Sequence, residues 1–247
     1  MGCHAGGVPD EHRRAGLLSD AELERSAVVA NCAMNRERQL AGVNSDTREL
    51  GFNPVTFLTT RLASQPGATA AWLDLCCGSG RALIQAAGQL DGAGLAGRTY
   101  LTGIDLVDAF DPVPPSASAA PDLIAASVVT WTPHRAFDLI TCVHGLHYAG
   151  DKLAVLTRAA DWLTPGGLFA ADLDLTSIRL PDSQVASRRL ASRLRSAGYT
   201  YNPRRHRITR TGPAQITLPY TYLGADDHAG PGYTGQPAVD AHYTEAR

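Results

Sequence analysis

Lysine is almost missing: Lys152 is the single lysine in 247 residues, and arginine carries the basic charge. No apolar run approaches the ~20 residues that a membrane-spanning helix requires, so no membrane association is expected. The formal net charge is only −2, so neither nucleic acid nor an anionic membrane surface is an expected partner. Cysteine is sparse as well. Cys3, Cys32, Cys76, Cys77 and Cys142 are odd in number and lack metal-ligand spacing. No metal is expected, and these cysteines read as reduced core or loop residues of a cytoplasmic protein. Met1 to Arg14 contain no hydrophobic stretch of the kind a signal peptide needs. Gly6 breaks the acylation pattern that Met1-Gly2-Cys3 begins. No internal repeat is visible.

What is present suits one soluble domain with extensions: 44% hydrophobic and 19% charged residues. The chain is organised around Ala71 to Arg81. Trp72, Leu73 and Leu75 make an apolar strand pattern that ends in Asp74-Leu75-Cys76-Cys77-Gly78-Ser79-Gly80. Ala82, Leu83, Ala86 and Ala87 then recur at helical spacing. This is strand, tight loop, helix. Glycine is needed where the backbone turns at positive φ or lies against a ligand. A dinucleotide site would carry Gly-x-Gly-x-x-Gly, but the third position here is Leu83. An acidic residue ahead of the loop suits a cationic ligand better than a pyrophosphate.

Before this loop, Ser19 is an acceptable N-cap, and a helix is expected from about Asp20 to Leu40. On it Asn31, Asn35 and Arg38 share one face, a solvated surface or a surface turned toward a ligand. A second helical stretch, Asp46 to Leu62, is interrupted near Pro54. After the loop, strands are expected at Thr99–Ile104, Leu123–Ala126, Ala136–Val143 and Leu168–Leu175, with a helix at Asp151–Leu163. Asp111 to Ser118 is too rich in proline for a regular helix. A helix at Asp182–Ala197 ends at Gly198. Arg204–Arg210 and Gln215–Leu223 read as two final antiparallel strands joined at Thr211-Gly212-Pro213.

The loop Asp74-x-Cys76-Cys77-Gly78-Ser79-Gly80 resembles motif I of the class I S-adenosylmethionine-dependent methyltransferases. Asp105, at the end of the next strand, resembles motif II. Phe137-Asp138-Leu139-Ile140 with Leu146-His147, and Leu163-x-Pro165-Gly166-Gly167 before an apolar strand, resemble later motifs of the same family in the same order. The resemblance covers about Ala70 to Leu223. It implies an α/β, Rossmann-like, seven-stranded, mostly parallel sheet with helices on both faces and an N-terminal helical lid. The chain then divides into a flexible tail (1–18), a helical cap (19–66), the methyltransferase domain (67–223) and a C-terminal tail (224–247).

The implied cofactor is S-adenosyl-L-methionine. The residues expected to hold it are Asp74, Cys76, Gly78, Gly80, Asp105, Leu106, Ser127, Val128 and Val143, with Asp105 on the ribose hydroxyls. Ser127 stands where the family often has an acid for the adenine amino group, which leaves a backbone contact at Val128. The acceptor implied is a small molecule, such as a specialised metabolite with a hydroxyl, amine or carbon nucleophile. His144 and His147 are the candidate bases, because imidazole titrates near working pH. Asn35, Arg38 and Tyr148 are candidate substrate contacts. Monomer and homodimer both stay open.

Two other readings remain at this stage. The arginines Arg188, Arg189, Arg193, Arg195, Arg204, Arg205, Arg207 and Arg210 would suit a peptide or RNA substrate. A methyltransferase-fold protein could also bind the cofactor without moving a methyl group. In the tail, Tyr233, Gln236, His242 and Tyr243 would let residues 224–247 fold over the chain's own pocket or a neighbour's.

Overall fold

The computed structural model describes residues 16–30, 37–65, 67–114, 119–181 and 183–246. Seven strands form the main sheet: β1 (Ala70–Leu75), β2 (Thr99–Asp105), β3 (Asp122–Ala125), β4 (Phe137–Cys142), β5 (Leu163–Asp172), β7 (Thr200–Asn202) and β8 (Arg207–Thr211). Their order is β3-β2-β1-β4-β5-β8-β7, and β8 alone runs against the rest. The chain therefore leaves β1 toward one edge, then returns to build the other side from β4. The crevice between β1 and β4, at the carboxyl ends, is the switch point where open α/β sheets bind ligands.

Side chains alternate across the sheet, and each face has its own core. Leu73, Leu75, Ile140, Phe169 and Ala171 pack under α6 (Lys152–Asp161) and α7 (Ser183–Ser196) through Leu153, Leu156, Leu190 and Leu194. Trp72, Leu101 and Leu139 pack on the opposite face. There they meet α4 (Pro54–Ser64) and α5 (Arg81–Gly92) through Leu58, Leu62, Leu83 and Ala86. Asn53 caps α4 by accepting from Val55 and Thr56, and Pro54 sits at its first turn, where the missing N–H costs nothing. The expected break in that stretch is therefore real: α3 is Asp46–Leu50, with Gly51 closing it at φ 73°.

Asp138, in the Phe-Asp-Leu-Ile strand, is a structural clamp rather than a site residue. It accepts from the Ala71 N–H and the Thr164 hydroxyl, both at 2.8 Å, and pairs with Arg61 of α4 at 2.5 Å. The Leu163-x-Pro165-Gly166-Gly167 stretch lies inside β5 as an irregularity, where the pairing with β4 shifts between Phe137 and Leu139. A Cβ at Gly167 would meet the Phe137 carbonyl at 2.8 Å.

Three expectations need correction. The helix expected over Asp20–Leu40 is two short helices among the described residues, α1 (Asp20–Leu23) and α2 (Ala27–Ala30). Asn31 and Asn35 lie outside the described residues. Second, the hairpin partner of β8 is β7, not Gln215–Leu223. Asn202 turns the chain there by accepting from Arg204 and Arg205. Third, Tyr220–Asp226 (β9) leaves the main sheet and forms a three-stranded sheet with β6 (Ile178–Arg179) and β10 (Asp240–Glu245). The end of the chain is thus folded onto the body: Tyr243 is 2% exposed, and its hydroxyl bonds Asp151 and the Leu153 N–H. The expected gap in helix holds, since no described residue between β2 and β3 is helical. No helix among the described residues is long and apolar enough to cross a membrane.

Candidate active site

The loop after β1 turns through three left-handed residues: Cys76 at φ 57°, Gly78 at 63° and Gly80 at 73°. Gly80 then caps α5, and a Cβ there would meet Leu123 at 2.7 Å. Asp105 closes β2 and braces the loop. Its carboxylate accepts the Gly78 N–H at 2.9 Å and the Val107 N–H at 3.1 Å. Beyond these ends lies a narrow cleft with about 50 Å³ of free space. Its walls on the sheet side include Cys76, Ile104, Asp105, Leu106, Ala126, Val128, Val129 and Gly145, a mostly apolar surface.

Asp20, Leu23, Glu24 and Val29 line the same cleft from the N-terminal helices. Glu24 also accepts a hydrogen bond from the Ser127 hydroxyl. Ser127 is therefore engaged with another protein group, while Val128 lines the cleft itself. Tyr148, a candidate substrate contact, lines this same cleft.

Asp74 is fully buried and lines no described part of the cleft. It accepts from Thr141 at 2.6 Å and from Arg38 at 2.9 Å. Arg38 also bonds Asp46 and the Val143 carbonyl. The expected placing of Arg38 on an open helix face is thus overturned: it is 1% exposed and locked between two carboxylates. The two acids keep the guanidinium charged against the cost of burial. Burial pushes the Asp74 carboxyl up to about 7 against the pull of Arg38 and raises Asp46 as well, and Asp46 Oδ2 is buried without a hydrogen-bond partner. Val143 contributes its carbonyl, because its side chain is packed in the core.

His144 follows β4 in the left-handed region, at φ 59°. That conformation is unusual for a residue with a Cβ, and it swings the imidazole out over the end of the sheet. Nδ1 lies 3.7 Å from Asp172 Oδ2 and Nε2 lies 3.9 Å from Glu49 Oε2. Asp172 ends β5 and accepts the His144 backbone N–H. Burial and the nearby Glu49 push its carboxyl up to about 7, against the pull of Arg207. Burial lowers the His144 pKa, while Glu49 works the other way. His147, in the turn behind it, is pushed down to about 3 by burial and by the neighbouring His144 and Lys152.

Tyr233 closes the far side. Its ring stacks on His206 at 3.9 Å and meets His147 edge-on at 5.2 Å. The segment around Tyr233 thus packs on His147 and His206 of its own chain. Sequence reasoning missed Glu24, Glu49 and Asp172, and it placed Arg207 only in an arginine-rich region. Of these, Asp172 carried a readable signal, because it is the acid at the carboxyl end of an apolar strand.

The cleft fits S-adenosylmethionine by the chemistry of its donors. Asp105 suits a vicinal diol, Leu106 and Val128 suit a flat base, and the carboxylates Asp20 and Glu24 on the same walls suit a cationic ligand. Solved structures similar to the chain include three methyltransferases. One is an amino pentose methyltransferase from Micromonospora echinaspora involved in calicheamicin biosynthesis, at 23% identity, TM-score 0.34 and 48% coverage of each chain. Another is the N-methyltransferase NodS of Bradyrhizobium japonicum, at 18% identity, TM-score 0.38, 71% of this chain and 95% of that one. A third is a sugar N-methyltransferase from Streptoalloteichus, at 18% identity, TM-score 0.32, 70% of this chain and 56% of that one. The chain spans about half the length of the first solved structures it matches. No curated protein matches it. Residues 49–210 match the family model described as a methyltransferase domain. That range runs from Glu49 through the glycine loop to β8, well over half of the sequence, and the chain belongs to the methyltransferase domain family.

Proposed function

We propose that the protein transfers a methyl group from S-adenosylmethionine to a small-molecule nucleophile, with His144 as the proton acceptor. The observation that supports this most is the position of His144. The next residue, Gly145, lines the cofactor cleft, while the imidazole faces Asp172 and Glu49 on the other side. One side chain thus stands between the two halves of the site.

When bound, the cofactor supplies a methyl group already activated on a sulfonium. The protein's work is then alignment, worth on the order of 7–11 kcal/mol when two reactants are held in line. Asp105, Leu106 and Val128 hold the adenosine. The amino acid end lies against the loop Cys76–Gly80, which Arg38 supports from beneath through Asp74. His144 takes the acceptor's proton, and Asp172 stabilises the imidazolium that results. His147 is a poor base at a pKa of about 3. Its role is to carry Tyr233 on its ring and to anchor the C-terminal segment, since its carbonyl accepts the Val239 N–H at 2.8 Å.

The test uses methyl-labelled S-adenosylmethionine, the purified full chain and a fractionated bacterial extract. Label is expected in the small-molecule fraction. His144→Ala is expected to lower the rate at least tenfold with S-adenosylhomocysteine affinity unchanged. Label in protein or RNA would overturn the small-molecule reading, and an unchanged rate in His144→Ala would remove the base.

A further inference from the structure

Three side chains from three elements meet beyond the end of β4. Glu49 comes from α3, His144 from the left-handed residue after β4, and Asp172 from the end of β5. One nitrogen or oxygen from each lies within 4.8 Å of the other two. The nearest approaches, 3.7 and 3.9 Å, are too long for hydrogen bonds. Asp172 is 2% exposed, yet its Oδ2 has no hydrogen-bond partner, and neither has His144 Nδ1. A buried carboxylate oxygen left without a donor costs free energy. The side chains of Glu49 and His144 are 34% and 18% exposed, so the triangle opens to solvent on one side. It is a deep acceptor with an entrance, and its three corners want protons or positive charge.

Two kinds of cation could sit there, and the spacing separates them. A divalent metal in tetrahedral coordination at ~2.0–2.2 Å holds its ligand atoms ~3.3–3.6 Å apart. Both measured gaps are longer, and they run to different nitrogens of the same ring. A single metal could use only one of those nitrogens. An ammonium makes N–H···O contacts of ~2.8 Å and so reaches acceptors up to ~4.6 Å apart. Its three protons also match three acceptor corners.

We propose that this triangle receives the amino group of the acceptor, so that the methyl acceptor is a small amine. The inference rests on the methyl-transfer reading above. The substrate enters as an ammonium and is held by Asp172 and Glu49. One N–H proton passes to the His144 imidazole, which becomes imidazolium between the two carboxylates. The freed nitrogen lone pair forms a bond to the methyl carbon as the carbon–sulfur bond breaks. That electron pair stays on sulfur, so a sulfonium becomes a neutral thioether and the nitrogen becomes a methylated ammonium. The proton on His144 leaves to water. Glu49 and Asp172 are then specificity residues: an alcohol offers the triangle one proton and no charge.

Binding tests this without turnover. The full chain is loaded with S-adenosylhomocysteine, and the His144 ring signal is followed by NMR, assigned by its loss in His144→Phe. Methylamine, benzylamine and glucosamine are titrated against methanol, benzyl alcohol and glucose. At least one amine is expected to move the signal saturably, with its matching alcohol at least tenfold weaker. Glu49→Gln and Asp172→Asn are each expected to weaken that amine tenfold or more while S-adenosylhomocysteine still binds. The idea fails if no amine moves the signal, if alcohols bind as well, or if both variants keep the preference. Saturation by micromolar magnesium or zinc in place of amines would overturn it in favour of a metal. Amine binding lost while label still reaches small molecules removes the amine and leaves methyl transfer standing. Amine binding without any transfer does the reverse.

Discussion

Arg38 donates to Asp74 at 2.9 Å, so the acidic residue that opens the glycine loop is held by a residue 36 positions earlier. The same guanidinium holds Asp46 and reaches the Val143 carbonyl. Removing it would leave two buried carboxylates facing each other with no cation. Breaking a buried pair this way costs ~3–5 kcal/mol. Arg38→Ala is expected to lose stability on that scale in urea titration. Arg38→Lys is expected to recover only part, because one ammonium cannot reach Asp46, Asp74 and Val143 with a planar fork. A loss below 1 kcal/mol in Arg38→Ala would show that the trio carries no such weight.

The contact between Glu24 and Ser127 carries the second prediction. In proteins that this chain resembles, an acid often follows the third strand and takes the adenine amino group. Here that position is Ser127, and the nearest carboxylate is brought by the N-terminal helices. Glu24 lines the same cleft. A hydrogen bond to a charged group of this kind contributes roughly 1.5–3 kcal/mol, or about ten- to 150-fold in affinity. Glu24→Ala is expected to weaken S-adenosylhomocysteine by that factor in calorimetry. Ser127→Ala is expected to cost less than Glu24→Ala. Equal affinity in wild type and Glu24→Ala would leave Glu24 as a surface contact of the helix.

Much of the nucleotide half was legible in the sequence because its signals are local. The strand Ala70–Leu75 reads from an apolar run, and the loop from glycines that must turn at positive φ. Asp105 reads from its place at a strand end. The acceptor half was harder because its residues are joined only through the fold. Nothing near Arg38 says that it will be buried against Asp74. Glu49, on a five-residue helix, meets Asp172 only because α3 packs beside the end of β5. The hairpin was misassigned for a physical reason. Thr211-Gly212-Pro213 is a good turn sequence, but Asn202 supplies a turn of its own before β8 begins at Arg207. Tyr220–Asp226 was then free to pair with β10.

Lys152, the single lysine, tests how the core handles charge. It is fully buried, and its ammonium has a hydrogen bond to the Ala149 carbonyl at 2.8 Å. Burial lowers its pKa to about 7, although Asp240 and Asp174 pull upward. In the unfolded chain it titrates near ~10.4. Between these values the unfolded state binds the proton and the folded state does not, so stability falls as pH drops from about 10 to 7. Lys152→Met is expected to flatten that slope and raise the melting temperature at pH 7. A slope unchanged by the substitution would place the alkaline dependence elsewhere.

Asp172 has the opposite sign. Its folded pKa is about 7 and its unfolded value is ~3.9. Below pH 4 it is protonated in both states and costs nothing. As pH rises from 4 to 7 the unfolded chain gives up the proton first, so stability is lost through that window and stays lost above it. Asp172→Asn cannot ionise and keeps the shape. It is expected to match the wild type near pH 4 and to exceed it at pH 8, by a few kcal/mol at most. It is also expected to lose methyl transfer at pH 8. A variant that becomes more stable as it becomes inactive identifies a charge kept for chemistry and not for folding. Equal stability at both pH values, with activity retained, would mean that Asp172 is a satisfied core carboxylate and that the proton leaves by another path.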